Sequence, residues 1–109
     1  MTTVVLADDH EIVRQGVRSL LEAAKTFQIL AEVSDGLAAV QAAEKFKPGL
    51  LFLDLSLPRL HGIQALRQIR TCSPNTKILV LSMHNDEPYV IEALRHGAMA
   101  YILKGSESA

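Results

Sequence analysis

Asp8 and Asp9 stand side by side directly behind an apolar run, VVLA. Asp54 follows a second run, LLFL; Ser82 follows a third, KILVL; Lys104 follows a fourth, AYIL. Adjacent carboxylates repel, and each loses hydration where the site is partly enclosed, so this set calls for a cation. Clustered carboxylates suit a hard divalent ion such as Mg2+ (or Mn2+), which takes oxygen ligands and keeps several waters. The lysine adds a second positive charge for an anion that joins the metal, and the serine adds a hydroxyl. Alone, the acid pair would read as capping at a helix start. With Asp54, Ser82 and Lys104 behind similar runs, a shared site is the better reading.

The segments that must position these groups alternate. Apolar runs at Val4–Ala7, Leu50–Leu53, Lys77–Leu81 and Ala100–Leu103 are near-continuous hydrophobe, as strands covered on both faces are. Ile29–Val33 (ILAEV) is more mixed and suits an edge strand. Between them lie helical patterns. Ile12, Val13, Gly16, Val17, Leu20 and Leu21 form an apolar stripe at helical spacing, with Asp9 or His10 at its start and Asp9 as the expected cap. Ser34-Asp35-Gly36 opens an Ala-rich second helix that stops before Pro48-Gly49. Ile63, Leu66, Ile69 and Arg70 outline a third, ending by Ser73-Pro74-Asn75. Pro88 sits in the first turn of a fourth, and Gly97 follows it as the C′ residue.

Strands alternating with helices imply right-handed crossovers and a parallel α/β sheet with helices on both faces. Ligands of such sheets bind at the carboxyl ends of the strands, where the five singled-out residues fall.

The chain has 109 residues, enough for one domain with a core, and 49% of them are hydrophobic. Its formal net charge of −1, without any Lys/Arg run, argues against a nucleic-acid grip. A single cysteine, Cys72, excludes an internal disulfide. No apolar run reaches the roughly 18 residues that span a bilayer, and the first residues lack a secretory signature. The reading is a soluble, cytoplasmic chain without a membrane partner. His10, His61, His84 and His96 lack metal-ligand spacing and read as surface residues.

In VVLADDHEIVRQG, LLFLDLSLPRLHG, ILVLSMH and EALRHGAMAYILK, in this order, the sequence resembles the receiver domain of two-component response regulators over essentially its whole length. Its wording is most similar to the NarL/FixJ type, whose receivers usually precede a LuxR-type helix-turn-helix domain. The resemblance implies a flavodoxin-like doubly wound sheet of order 2-1-3-4-5. It makes Asp54 the phosphoacceptor for a histidine kinase or phosphotransfer protein. Asp9, Asp54 and the backbone carbonyl of Ser56 would ligate Mg2+, with Asp8 holding a metal-bound water. Lys104 and the Ser82 hydroxyl would contact phosphoryl oxygens. Ser82 and Tyr101 match the family's switch pair, with helix 4 and strand 5 as the readout face in transcription regulation. Ile12 and Val13 would meet the kinase.

Some positions vary or depart from the wider family. Met83 follows Ser82 where many receivers carry a small residue. Ser56, Met83 and His84 are expected to tune the phosphate pocket. The family pattern has a fifth helix, whereas residues 1–109 end at SESA, too short for one, so that helix is expected to be missing. The expected consequence is an apolar strip beside helix 1, with self-association through it or a domain less stable than its parent. No output domain is read, so no direct DNA contact is expected from these residues.

Rival chemistries fit less well. No G-x-x-x-x-G-K-[ST] follows strand 1, which removes a P-loop nucleotide hydrolase. A flavin-binding phosphate loop offers N–H groups and hydroxyls rather than two acids. A dehalogenase-like phosphatase wants a second Asp two residues after the nucleophile, where Ser56 stands. A receiver that signals without phosphate ranks second, because such chains typically lose an acid or the lysine. The protein is thus read as a switch, and not a turnover enzyme.

Overall fold

The computed structural model describes residues 1–82 and 87–103. In chain order the elements are β1 (Thr2–Ala7), α1 (Glu11–Ala24), β2 (Phe27–Val33), α2 (Gly36–Phe46), β3 (Leu50–Asp54), α3 (Gly62–Cys72), β4 (Lys77–Ser82), α4 (Glu87–Arg95) and β5 (Ala100–Leu103). The strands form one parallel sheet, ordered β2-β1-β3-β4-β5. After β1 the chain adds β2 on one side, then crosses back to place β3 on the other. That reversal opens a crevice between the carboxyl ends of β1 and β3.

Period-2 alternation divides the apolar residues between two layers. On one face Val5, Ala7, Leu51, Leu53, Ile78 and Val80 pack with Ala39 and Ala43 of α2, Leu66 and Ile69 of α3, and Ala93 of α4. On the other, Val4, Leu6, Phe27, Ile29, Leu50 and Phe52 pack with Val17 and Leu21 of α1. Full burial of each such large side chain is worth about 1.5–3 kcal/mol. The mixed β2 sequence lies at the sheet's edge, half-buried along nearly all its length. On α1's side, Leu79 is half-buried and Ile102 is 44% exposed.

Helix boundaries follow the local chemistry unevenly. Asp35 caps α2, its Oδ1 accepting the Ala38 N–H at 2.7 Å. Gly97, at φ 107°, follows α4 in the left-handed conformation expected of a C′ glycine. The helix ends at Lys25 and Lys47 take the same left-handed conformation without glycine. The expected cap on α1 is absent: the N-cap is His10, without a side-chain cap hydrogen bond, and Asp9 does not serve. The α1 stripe also needs correcting. Only its Val13, Val17 and Leu21 line faces the sheet, while Ile12 and Leu20 are 82% and 74% exposed.

The loop after β3 is pinned by close packing. Leu55 and Leu57 are buried in the core, and α3 begins against them. A Cβ on Gly62 would stand 2.2 Å from the Leu55 carbonyl oxygen, so only glycine lets the two backbones meet.

Candidate functional site

Register brings the acids together. Ala7 of β1 pairs with Leu53 of β3, so the next residues, Asp8 and Asp54, emerge side by side at the sheet's carboxyl edge. Both carboxylates are almost fully buried and are held by the same local device. Asp8 Oδ1 accepts the His10 N–H at 2.7 Å, and Asp54 Oδ1 accepts the Ser56 N–H at 2.8 Å. A carboxylate that accepts the N–H two residues on is an Asx-turn, and it fixes the side chain's direction. Asp9 completes the set from a more exposed position.

His10 joins these acids. Its Nδ1 lies 3.2 Å from Asp8 Oδ1, 3.3 Å from Asp9 Oδ1 and 3.8 Å from Asp54 Oδ2. One ligand atom from each of the four residues falls within a span of 4.8 Å. From sequence alone His10 reads as a surface histidine. Its ring is indeed 56% exposed, but Nδ1 turns inward. The available signal was position: as residue 10 it follows the acid pair at a helix start.

A second layer holds the loop from behind. Arg14 Nη1 donates to the Asp8 carbonyl at 2.8 Å, and Arg14 Nε lies 3.5 Å from Glu32 Oε1. Arg18 Nη1 donates to both Glu32 oxygens, at 2.9 and 2.7 Å. Glu32's hydrogen bond and then its charge push the Arg18 pKa up from its ordinary value.

Ser82, fully buried, ends β4 one residue beyond Leu81, the register partner of Asp54. Tyr101 pairs with Val80, two residues before Ser82, and packs half-buried against the core on that face. Ile12 is exposed and Val13 half-buried on α1. Met83, His84 and Lys104 lie outside the described residues.

The donor set fits a divalent ion: three carboxylates meet in one pocket, all hard oxygen donors, with one imidazole nitrogen beside them. The family profile described as the response regulator receiver domain matches residues 4–109. The chain belongs to that family. This receiver is 39% identical over 101 residues to the transcriptional regulatory protein DegU of Brevibacillus brevis, covering 93% of this chain and 43% of DegU. The signal receiver domain of a NarL response regulator from Mycobacterium tuberculosis superposes with a TM-score of 0.89 at 31% identity, over 96% of this chain and 85% of that one. RcsB from Salmonella enterica, bound to promoter rprA with the phosphomimetic BeF3−, gives 0.88 at 30% identity, over 96% and 54%. The receiver therefore spans less than half the length of DegU. Among the described residues, no helix is long and apolar enough to cross a membrane.

Proposed function

We propose that this receiver is a phosphorylation-dependent switch in transcription regulation, with Asp54 as its phosphoacceptor. The single observation that carries this reading is the buried Asp54 carboxylate, 1% exposed, grouped with Asp8 and Asp9 at the carboxyl edge of the sheet. The Ser56 N–H holds Asp54 Oδ1, and Oδ2 faces His10 Nδ1 at 3.8 Å. Oδ2 attacks the phosphorus of a kinase's phosphohistidine; the new O–P bond forms as the donor's N–P bond breaks, and the imidazole leaves.

Asp8, Asp9, Asp54 and the Ser56 carbonyl would hold Mg2+, which offsets the repulsion between a phosphoryl group and three acids. Ser82 would donate its hydroxyl to a phosphoryl oxygen, and Lys104 would supply a point charge to another. Ser82's movement toward the phosphoryl group gives Tyr101 room to turn inward, which shifts α4 and β5 between two packings. The relatives support the output: DegU is a transcriptional regulatory protein, and RcsB is bound to promoter rprA in the presence of a phosphomimetic. A DNA-binding domain, attached or partnered, would read the α4–β5 face, with a second receiver as a further partner. Ile12 and Val13 would meet the kinase, and Ser56, Met83 and His84 would set the lifetime of the phosphoryl group. A cytoplasmic location goes with this reading.

The test is incubation with acetyl phosphate and Mg2+, followed by intact mass. The expected result is one phosphoryl adduct, lost on Asp54→Ala. Absence of an adduct with Mg2+ present would favour a receiver that signals by protein contact alone.

A further inference from the structure

We propose that His10 is a ligand of the divalent ion through Nδ1, and that it biases this pocket toward first-row transition ions over Mg2+; this rests on the reading of the acidic pocket as a metal site. Ligand atoms about 2.1–2.2 Å from one ion stand roughly 3 Å apart along an octahedral edge and roughly 4.2 Å apart across it. His10 Nδ1 lies 3.2 Å from Asp8 Oδ1 and 3.3 Å from Asp9 Oδ1, close to edge spacing. Its 3.8 Å to Asp54 Oδ2 falls between edge and diagonal. The nitrogen therefore stands at separations from all three acids that one shared ion could bridge.

The ring's Nδ1 shares a hydrogen bond with Asp8 Oδ1 at 3.2 Å, a contact that a shared ion would replace. His10 is the N-cap of α1, yet its side chain makes no capping hydrogen bond. Its main chain is fixed independently, because its N–H binds Asp8 and its carbonyl accepts the Arg14 N–H at 3.1 Å. The ring edge that carries Nδ1 meets the acids while much of the side chain stays in solvent.

Carboxylates and water suit Mg2+, which dehydrates reluctantly and prefers oxygen. Imidazole suits the later first-row ions, whose affinity for nitrogen donors rises from Mn2+ toward Cu2+. One nitrogen among three carboxylates thus raises affinity for an ion such as Co2+ far more than for Mg2+. The residue sets which metal is held, without touching the phosphoryl donor.

The test titrates the 109-residue chain with CoCl2 and MgCl2 by calorimetry, in wild type, His10→Ala and Asp9→Ala. NMR of the Co2+ form then follows paramagnetically shifted imidazole resonances. His10→Ala is expected to weaken Co2+ binding about tenfold or more, the scale on which even partners behind the ligands act. Mg2+ affinity should be nearly unchanged, and the shifted imidazole signals should vanish. Equal loss for both ions, an unchanged Co2+ affinity, or wild-type spectra without shifted imidazole signals would overturn the role of His10. Wild type that binds neither ion, or Asp9→Ala that binds both as wild type does, would instead sink the acidic pocket itself. Because the side chain caps nothing, loss of α1 on substitution is not expected, and circular dichroism checks it.

Discussion

Arg14 holds Asp8 from behind, donating from Nη1 to the Asp8 main-chain carbonyl at 2.8 Å. Its Nε faces Glu32, which is gripped in turn by Arg18. The edge strand β2 thus braces the loop that carries two of the acids. A charged donor bound to a carbonyl contributes about 1.5–3 kcal/mol. Arg14→Met should cost about 1–2 kcal/mol in urea unfolding, since Glu32 keeps Arg18 as a partner. It should also weaken Mg2+ binding, because Asp8 and Asp9 lose their anchor. Arg18→Met should cost less and leave Mg2+ affinity where it was. Equal effects of the two variants on metal affinity would refute the bracing role.

The three acids oppose one another in the metal-free domain. Asp54→Asn removes one charge while its side-chain oxygen can still accept the Ser56 N–H that Asp54 accepts at 2.8 Å. At an effective dielectric near 20 the gain should be roughly 1–3 kcal/mol. In EDTA, Asp54→Asn should therefore resist urea better than wild type, and Mg2+ should narrow the gap by stabilising only the wild type. A variant less stable than wild type without metal would show that repulsion does not govern this pocket.

Much of this pocket was legible because strand ends are legible. Near-continuous runs such as LLFL mark strands buried on both faces, and parallel register then carries Asp8 beside Asp54. Asp35 was equally readable, since a side chain that accepts an N–H three residues on needs only local sequence. The inner face of α1 was not. Its six apolar residues form two adjacent lines, and periodicity does not say which one meets the sheet. Packing chose Val17 and Leu21, with Val13 half-buried on the same line. His10 was missed for a related reason. Its partners come from two turns on different strands, so no ligand spacing within one helix betrays it.

Gly62 offers a stringent test of how the loop after Asp54 is built. A Cβ there would lie 2.2 Å from the Leu55 carbonyl oxygen and 2.5 Å from Leu55 Cα, both backbone atoms that cannot rotate away. Gly62→Ala must push α3 off the loop, at a cost of about 2–4 kcal/mol, on the scale of overpacked cores. Thermal unfolding should show the loss. Phosphorylation by acetyl phosphate should slow as well, since Leu55 is the next residue after Asp54. A wild-type melting temperature would mean that the contact is not closed in solution.

On the proposed function, Ile12 should separate phosphate chemistry from partner recognition. It sits in the first turn of α1, two residues from His10, and is 82% exposed. A large apolar side chain this exposed contributes little to the fold, so Ile12→Glu should change stability by no more than about 0.5 kcal/mol. Its place beside the acidic pocket suits contact with the helix of a kinase that delivers phosphate. Ile12→Glu should therefore leave the acetyl phosphate reaction intact, because a small donor needs no docking surface. Transfer from a phosphorylated cognate kinase should fall about tenfold or more, as expected for loss of an apolar anchor at an interface. Val13→Ala gives the contrasting signature. Val13 is half-buried on the inner line, so its loss should lower stability first and slow both donors together. If Ile12→Glu slowed acetyl phosphate as much as the kinase, the residue would belong to the pocket rather than to the docking face.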